Sequence, residues 1–258
     1  MQDLKLTIVQ TSLHWENPTA NLAMLEEKIS HNRPDTDLIL LPEMFTTGFT
    51  MNAASLAEPD NSTTLKWLKM LARQTQATVA GSYIVNEKMH YYNRLVAVYP
   101  NGEVMKYNKR HLFRMAGEHN TYSAGTERLI FKINGWSVAA FICYDLRFPV
   151  WSRNINNEYD LAIYVANWPE ARSSAWNTLL PARAIENLCY VAGVNRTGED
   201  GNHITYSGQS AVYDYKGEPM VKFNNEERVE TIVLKKDELL AYRQKFPAHL
   251  DADTFRIE

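Results

Sequence analysis

A chain of 258 residues with 45% hydrophobic and 22% charged side chains has enough apolar material for an extensive core, which excludes disorder. Its formal net charge of -3 excludes a general attraction to nucleic acid or anionic lipid, partners that select for excess Lys and Arg. The opening MQDLKLTIVQ is no secretory signal, and apolar runs such as 38–42 are far shorter than the roughly 20 residues that span a bilayer; a cytoplasmic protein with no membrane partner is expected.

Residues 4–10 alternate apolar and polar positions as a half-buried strand does, and 17–30 then place Leu22, Leu25 and Ile29 at helical spacing. The apolar run 38–41 predicts a buried strand stopped by Pro42, with Glu43 at its end. A second amphipathic helix follows over 63–76 through Leu65, Leu68, Met70 and Leu71, and a strand over 78–85. Segments 91–98 and 102–107 form a hairpin around Pro100-Asn101-Gly102. The run 136–143 ends in a polar switch at Tyr144-Asp145-Leu146-Arg147, and Pro149 suits the first turn of a helix, so Cys143 occupies a strand-to-helix corner. Strand, helix and strand recur over 161–166, 175–187 and 190–195. Strands over 207–213 and 229–234 close the pattern, separated by the turn-like Asp214-Tyr215-Lys216-Gly217. With no Gly/Ser-rich linker, charge block or repeat, residues 1–258 read as one two-layered α/β domain whose helices cover the sheets.

Three reactive side chains stand where strand patterns end: Glu43 in Leu40-Leu41-Pro42-Glu43-Met44, Lys109 in Tyr107-Asn108-Lys109-Arg110-His111-Leu112-Phe113, and Cys143 in Phe141-Ile142-Cys143-Tyr144-Asp145-Leu146-Arg147-Phe148. Open α/β sheets build ligand sites at strand ends, so corners far apart in sequence can converge. The three segments, in this order, resemble the nitrilase superfamily of carbon–nitrogen hydrolases. The resemblance runs from Ile8-Val9-Gln10 through Asn167-Trp168-Pro169 and 182–187 to Gly208-Gln209-Ser210. It implies a four-layer α-β-β-α sandwich that pairs as a homodimer, no metal or other cofactor, and a Glu-Lys-Cys triad.

The chemistry accounts for these residue types. A thiol with a pKa of about 8.5 is mostly protonated near neutrality, so attack on an amide needs a base. Glu43 can take that proton and return it to departing ammonia. Lys109 and the backbone N–H of Tyr144 can face the oxyanion of the tetrahedral intermediate. Glu118, in the loop between the Lys and Cys motifs, matches the place of a second, supporting family Glu.

Plainer readings stand beside these. Cys189, between Leu188 and Tyr190, is a small core hydrophobe. With only two cysteines there is no disulfide framework, and both thiols stay free. His111 or His119 would serve as the base in a Cys–His pair, a role the strand-end carboxylate already fills. Asp145 and Arg147 are expected to pair with each other or cap the helix after Cys143. Phe45, within Phe45-Thr46-Thr47-Gly48-Phe49, and Trp168 are expected to line the pocket, and Arg172 to grip a substrate carboxylate. CYDLRF and NWPEAR resemble the ω-amidase branch, which implies a small-molecule substrate: the terminal amide of a 2-oxo dicarboxylic acid, such as 2-oxoglutaramate or 2-oxosuccinamate. N-carbamoyl amide hydrolysis, nitrile hydrolysis, or a binding relative without turnover are the alternatives.

Overall fold

The computed structural model describes residues 2–32 and 34–255. Its strands are β1 (Leu4–Gln10), β2 (Leu38–Leu40), β3 (Thr78–Glu87), β4 (His90–Val98), β5 (Val104–Asn108), β6 (Leu129–Ile133), β7 (Trp136–Ile142), β8 (Leu161–Ala166), β9 (Tyr190–Asn195), β10 (Thr197–Glu199), β11 (Thr205–Ser207), β12 (Ala211–Tyr213), β13 (Pro219–Lys222) and β14 (Arg228–Leu234). Its α-helices are α1 (Pro18–Asn32), α2 (Ala53–Leu56), α3 (Thr63–Thr75), α4 (Glu118–Thr121), α5 (Ser173–Asn187) and α6 (Lys236–Lys245). Two six-stranded mixed sheets run β14-β1-β2-β3-β4-β5 and β13-β12-β9-β8-β7-β6, and β10 with β11 makes a small ribbon.

Side-chain alternation decides the layering. Leu6, Ile8, Leu38, Leu40, Ala80, Leu95 and Ala97 of the first sheet share a core with the second sheet. Their sequence neighbours Val9, Ile39, Val79 and Val96 instead pack with Leu22, Leu25 and Ile29 of α1 and Leu65, Leu68 and Leu71 of α3. The second sheet is apolar on both faces because both are covered: β8 is buried at every position, and Trp176, Leu180 and Ala184 of α5 with Leu239 of α6 belong to the same core. Each such Leu contributes about 1.5–3 kcal/mol by leaving water. Gly193 permits the close approach of α5, since a Cβ there would stand 2.6 Å from Leu180 and 2.7 Å from Trp176. The result is the expected sandwich of helices, sheet, sheet and helices.

Several sequence expectations need correction. The predicted strand 207–213 is broken, because Gly208 (φ 64°) and Gln209 (φ 60°) turn left-handed where the chain leaves the ribbon for the second sheet. The Asp214–Gly217 turn leads into β13, whereas β14 crosses to the first sheet and pairs antiparallel with β1. The helix expected directly after Cys143 is instead a 3-10 segment (Cys143–Arg147), and Pro149 lies in the turn beyond it. Among the described residues no helix is long and apolar enough to cross a membrane.

Candidate active site

Four side chains stand at strand ends: Glu43 after β2, Lys109 after β5, Cys143 after β7 and Asn167 after β8. The Glu43 corner is pinned to β3, with the N–H of Met44 donating to Ser82 Oγ at 2.9 Å and that of Phe45 to the Ser82 carbonyl at 3.0 Å. Lys109 is held from both sides, its N–H donating to the Asn93 carbonyl at 3.0 Å and its carbonyl accepting from Gly125 at 2.9 Å. Gly125 is required there. A Cβ on it would fall 2.1 Å from the Asn108 carbonyl oxygen, so any side chain would push the 118–125 loop off the end of β5.

Glu43, Lys109 and Glu118 are all buried. Lys109 Nζ lies 2.8 Å from Glu43 Oε1 and 3.0 Å from each oxygen of Glu118. Asn93 Nδ2 donates to Glu43 Oε1 at 2.8 Å and to Glu118 Oε1 at 3.4 Å, and the N–H of Asn167 donates to Glu43 Oε2 at 2.8 Å. The ammonium also lies 5.2 Å from the centre of the Phe49 ring. Glu118 therefore makes two of the lysine's three carboxylate contacts and Glu43 one.

Cys143 has φ 44°, in the left-handed region that β-carbon sterics disfavour, as does Met44 beside Glu43 with φ 42°. Such backbone costs about 1–3 kcal/mol and persists only where its surroundings enforce it. Cys143 Sγ lies 3.9 Å from the Asn167 carbonyl. Burial, reinforced by the Glu43 carboxylate, pushes the thiol well above its ordinary range, and Lys109 offsets only part of this. At rest Cys143 is thus held as a thiol close to Glu43. Burial works against the charge on Lys109, but Glu118 and Glu43 outweigh it and raise its pKa, so the ammonium is permanent. Burial and the nearby Glu43 raise Glu118 despite the lysine.

A cavity of about 490 Å³ opens onto Cys143 and Lys109. Trp168 lines it as expected, and Tyr144, Arg172, Phe49, Phe113 and Arg147 line it as well. The Arg147 guanidinium lies 5.2 Å from the Trp168 ring and that of Arg172 lies 5.0 Å from Phe113. Phe45 is a correction: it is fully buried against Trp67 and Tyr83 in the α1/α3 core, and Phe49, later in the same loop, takes the pocket position. Of the two expectations for Asp145 and Arg147, pairing is another correction, because Asp145 turns inward to Tyr107 and His111, whereas Asp145 does cap the turn after Cys143 by accepting from the N–H of Ile142. His111 faces Asp145 rather than Cys143, and His119 is exposed, so the Cys–His alternative gains nothing. Cys189 is fully buried, and burial pushes its thiol up too.

Sequence reasoning missed Asn93 and the polar contacts of Asn167. Asn93 carried a usable signal, being a polar residue with the strand parity of Leu95 and Ala97, which face the core between the sheets. Asn167 carried none beyond its place in the Asn167-Trp168-Pro169 run.

The sequence model of the carbon-nitrogen hydrolase family matches residues 5–243. The chain is 48% identical to omega-amidase YafV of Yersinia enterocolitica, with all of both chains covered. It is 32% identical to 2-oxoglutaramate amidase of Bacillus subtilis over 95% of this chain and 96% of that one. Among solved structures, XC1258 of Xanthomonas campestris, a CN-hydrolase superfamily protein with an arsenic adduct in its active site, superposes with a TM-score of 0.98 at 42% identity, covering 100% of both chains.

Proposed function

The chain belongs to the carbon–nitrogen hydrolase family and is a hydrolase acting on carbon–nitrogen bonds, and from that premise we propose a cysteine-dependent ω-amidase with Cys143 as nucleophile. The substrate is the terminal amide of a 2-oxo dicarboxylic acid monoamide, 2-oxoglutaramate or 2-oxosuccinamate. The observation that carries this reading is the buried Glu43–Lys109–Glu118 cluster beside a left-handed cysteine at the floor of a cavity bearing two arginines.

In the reaction, Cys143 Sγ attacks the amide carbon while its proton passes to Glu43. The oxyanion is held by the Lys109 ammonium and the N–H of Tyr144. Two of the lysine's contacts go to one carboxylate, Glu118, so one N–H can turn to the oxyanion while a bond to each Glu remains. Glu43 then gives its proton to the nitrogen as the C–N bond breaks and ammonia leaves. Water attacks the thioester with Glu43 again as base, the C–S bond breaks, and the thiol and free acid are regenerated. Glu118 keeps the lysine in place.

Arg172 and Arg147 supply the carboxylate end, because each has its planar fork on the cavity wall, stacked on an aromatic ring. The whole chain, 1–258, is one catalytic unit in this reading. It works as a cytoplasmic homodimer, consistent with two free thiols and with exposed Ile185, Phe246 and Leu250 that a second copy would cover. The test is ammonia release from a panel of ω-amides, neutral amides, nitriles and carbamoyl compounds. Preference for 2-oxoglutaramate is expected, and preference for a neutral amide or a nitrile would overturn the substrate assignment.

A further inference from the structure

Asp145 is wholly buried and lies outside the cavity lining, yet it receives hydrogen bonds from both halves of the site. Its Oδ2 accepts from the N–H of Ile142 at 3.0 Å and from the Tyr107 hydroxyl at 2.6 Å. Its Oδ1 accepts from the N–H of His111 at 3.0 Å and faces His111 Nδ1 at 2.8 Å. Ile142 immediately precedes Cys143, while Tyr107 and His111 bracket Lys109 two residues to either side. The bond from Ile142 to Asp145 closes a ring of chain around Cys143, the residue held at φ 44°.

The partners are themselves fixed. The Tyr107 hydroxyl accepts from Trp151 Nε1 at 3.0 Å and from the N–H of Arg110 at 3.3 Å, so its one proton is left for Asp145. The His111 ring lies flat on Phe148, 3.8 Å between centres and 5° between planes. A carboxylate presents about four acceptor sites and no donor, which is what four converging donors need; an amide of the same shape would turn an N–H towards two of them.

We infer that Asp145 is a positioning residue that holds Cys143 in its left-handed backbone and docks the Lys109 segment against it, so that nucleophile and oxyanion cation keep one relative geometry. The inference rests on the roles given to Cys143 and Lys109 above. It assigns Asp145 no contact with substrate.

The experiment compares wild type, Asp145→Asn and Tyr107→Phe in the full chain by three measurements: melting temperature, steady-state hydrolysis of 2-oxoglutaramate, and the second-order rate of Cys143 alkylation by iodoacetamide, followed by mass. Misplacement of reacting groups by about 1 Å can lower a rate roughly a hundredfold, so Asp145→Asn is expected to lower kcat about thirtyfold or more with KM within about threefold. Alkylation of Cys143 in the folded variant is expected to slow by about tenfold or more. A purely structural role would lower the melting temperature but leave alkylation of the folded protein unchanged. Folded Asp145→Asn with kcat and alkylation both within about threefold of wild type would overturn the inference. If that variant does not fold, Tyr107→Phe decides: it deletes one donor and keeps the ring, kcat and alkylation are expected to fall together by about threefold or more, and wild-type values for both would overturn the inference. Alkylation needs no amide turnover, so a wild-type protein that released no ammonia would refute the ω-amidase assignment and leave this comparison intact.

Discussion

The main-chain N–H of Asn167 donates to Oε2 of Glu43 at 2.8 Å, joining two corners that are 124 residues apart in the chain. The Asn167 side chain adds a second tie, its Nδ2 donating to the Glu43 carbonyl. Asn167→Ala keeps the first bond and removes the second, so the base stays in the site but is less firmly aimed. kcat is expected to fall roughly tenfold, between the worth of one hydrogen bond and that of a misplaced group, with KM little changed. Steady-state kinetics check this, and a kcat within twofold of wild type would mean that the backbone bond alone orients Glu43.

Glu43 raises the Cys143 thiol pKa, so Glu43→Gln is expected to bring it down while amide hydrolysis is lost. The sign is unusual: the variant has the more acidic thiol and the slower reaction, because the base is gone. Lys109→Met should move the pKa the other way, since the ammonium lowers it. The pH dependence of iodoacetamide alkylation at Cys143 reads both, and an upward shift in Glu43→Gln would contradict the charge assignment.

Lys109→Met also leaves two buried carboxylates facing each other without their cation. Removing one partner of a buried ion pair typically destabilises by about 3–5 kcal/mol, and losing an oxyanion donor lowers the rate by about 10²–10³. Urea unfolding and single-turnover acylation measure the two effects separately. Wild-type stability would place the lysine's charge outside the fold's energetics.

These predictions draw on parts of the site that were unequally legible in the sequence. The strand-end positions of Glu43 and Cys143 could be read because each follows an apolar run that ends abruptly, and that of Lys109 because it follows a hairpin strand; β1 emerged at its observed bounds from its alternation, and β8 and β9 at theirs from their apolar runs. β13, with exposed Pro219, Met220 and Lys222, and α6, half of whose residues are charged, bury too little for periodicity to register. Phe45 and Phe49 stand four residues apart in one loop, and only the left-handed turns at Met44 and Gly48 decide which faces the cavity. Asp145 and Arg147 were expected to pair or to cap a helix after Cys143. The 3-10 turn instead leaves Asp145 buried and Arg147 exposed at the cavity.

Arg172→Lys keeps the charge but loses the planar fork, so the ratio of kcat/KM for 2-oxoglutaramate to that for a neutral amide of equal length is expected to drop by about tenfold. Arg147→Gln should lower the same ratio, with hydrolysis of the neutral amide nearly unchanged in both variants. A constant ratio in both would remove the arginines from carboxylate recognition.

Away from the site, Glu227 joins β1's exit to the far end of the chain by accepting from Lys28 Nζ at 2.7 Å and from the N–H of Ser12 at 2.9 Å. Partial burial opposes its charge, but Lys28 and Ser12 prevail and lower its pKa from 4.5 to about 2. A depressed carboxylate stabilises the fold above its unfolded pKa and loses that effect as pH falls from 4.5 towards 2. Glu227→Gln should therefore be destabilising at pH near 7, by no more than about 1 kcal/mol given its partial exposure, and nearly neutral below pH about 2. Denaturation midpoints at the two pH values test this; a deficit that grew on acidification would reverse the sign.

The most direct test of the central claim is ammonia release from 2-oxoglutaramate by wild type, Cys143→Ala and Cys189→Ala side by side. Wild type and Cys189→Ala are expected to turn over at rates within about threefold of each other, since Cys189 contributes only core packing. Cys143→Ala should keep its fold and release no ammonia above background, because no second nucleophile stands at the strand corner. Release at the wild-type rate by folded Cys143→Ala, or its loss in folded Cys189→Ala alone, would contradict the account.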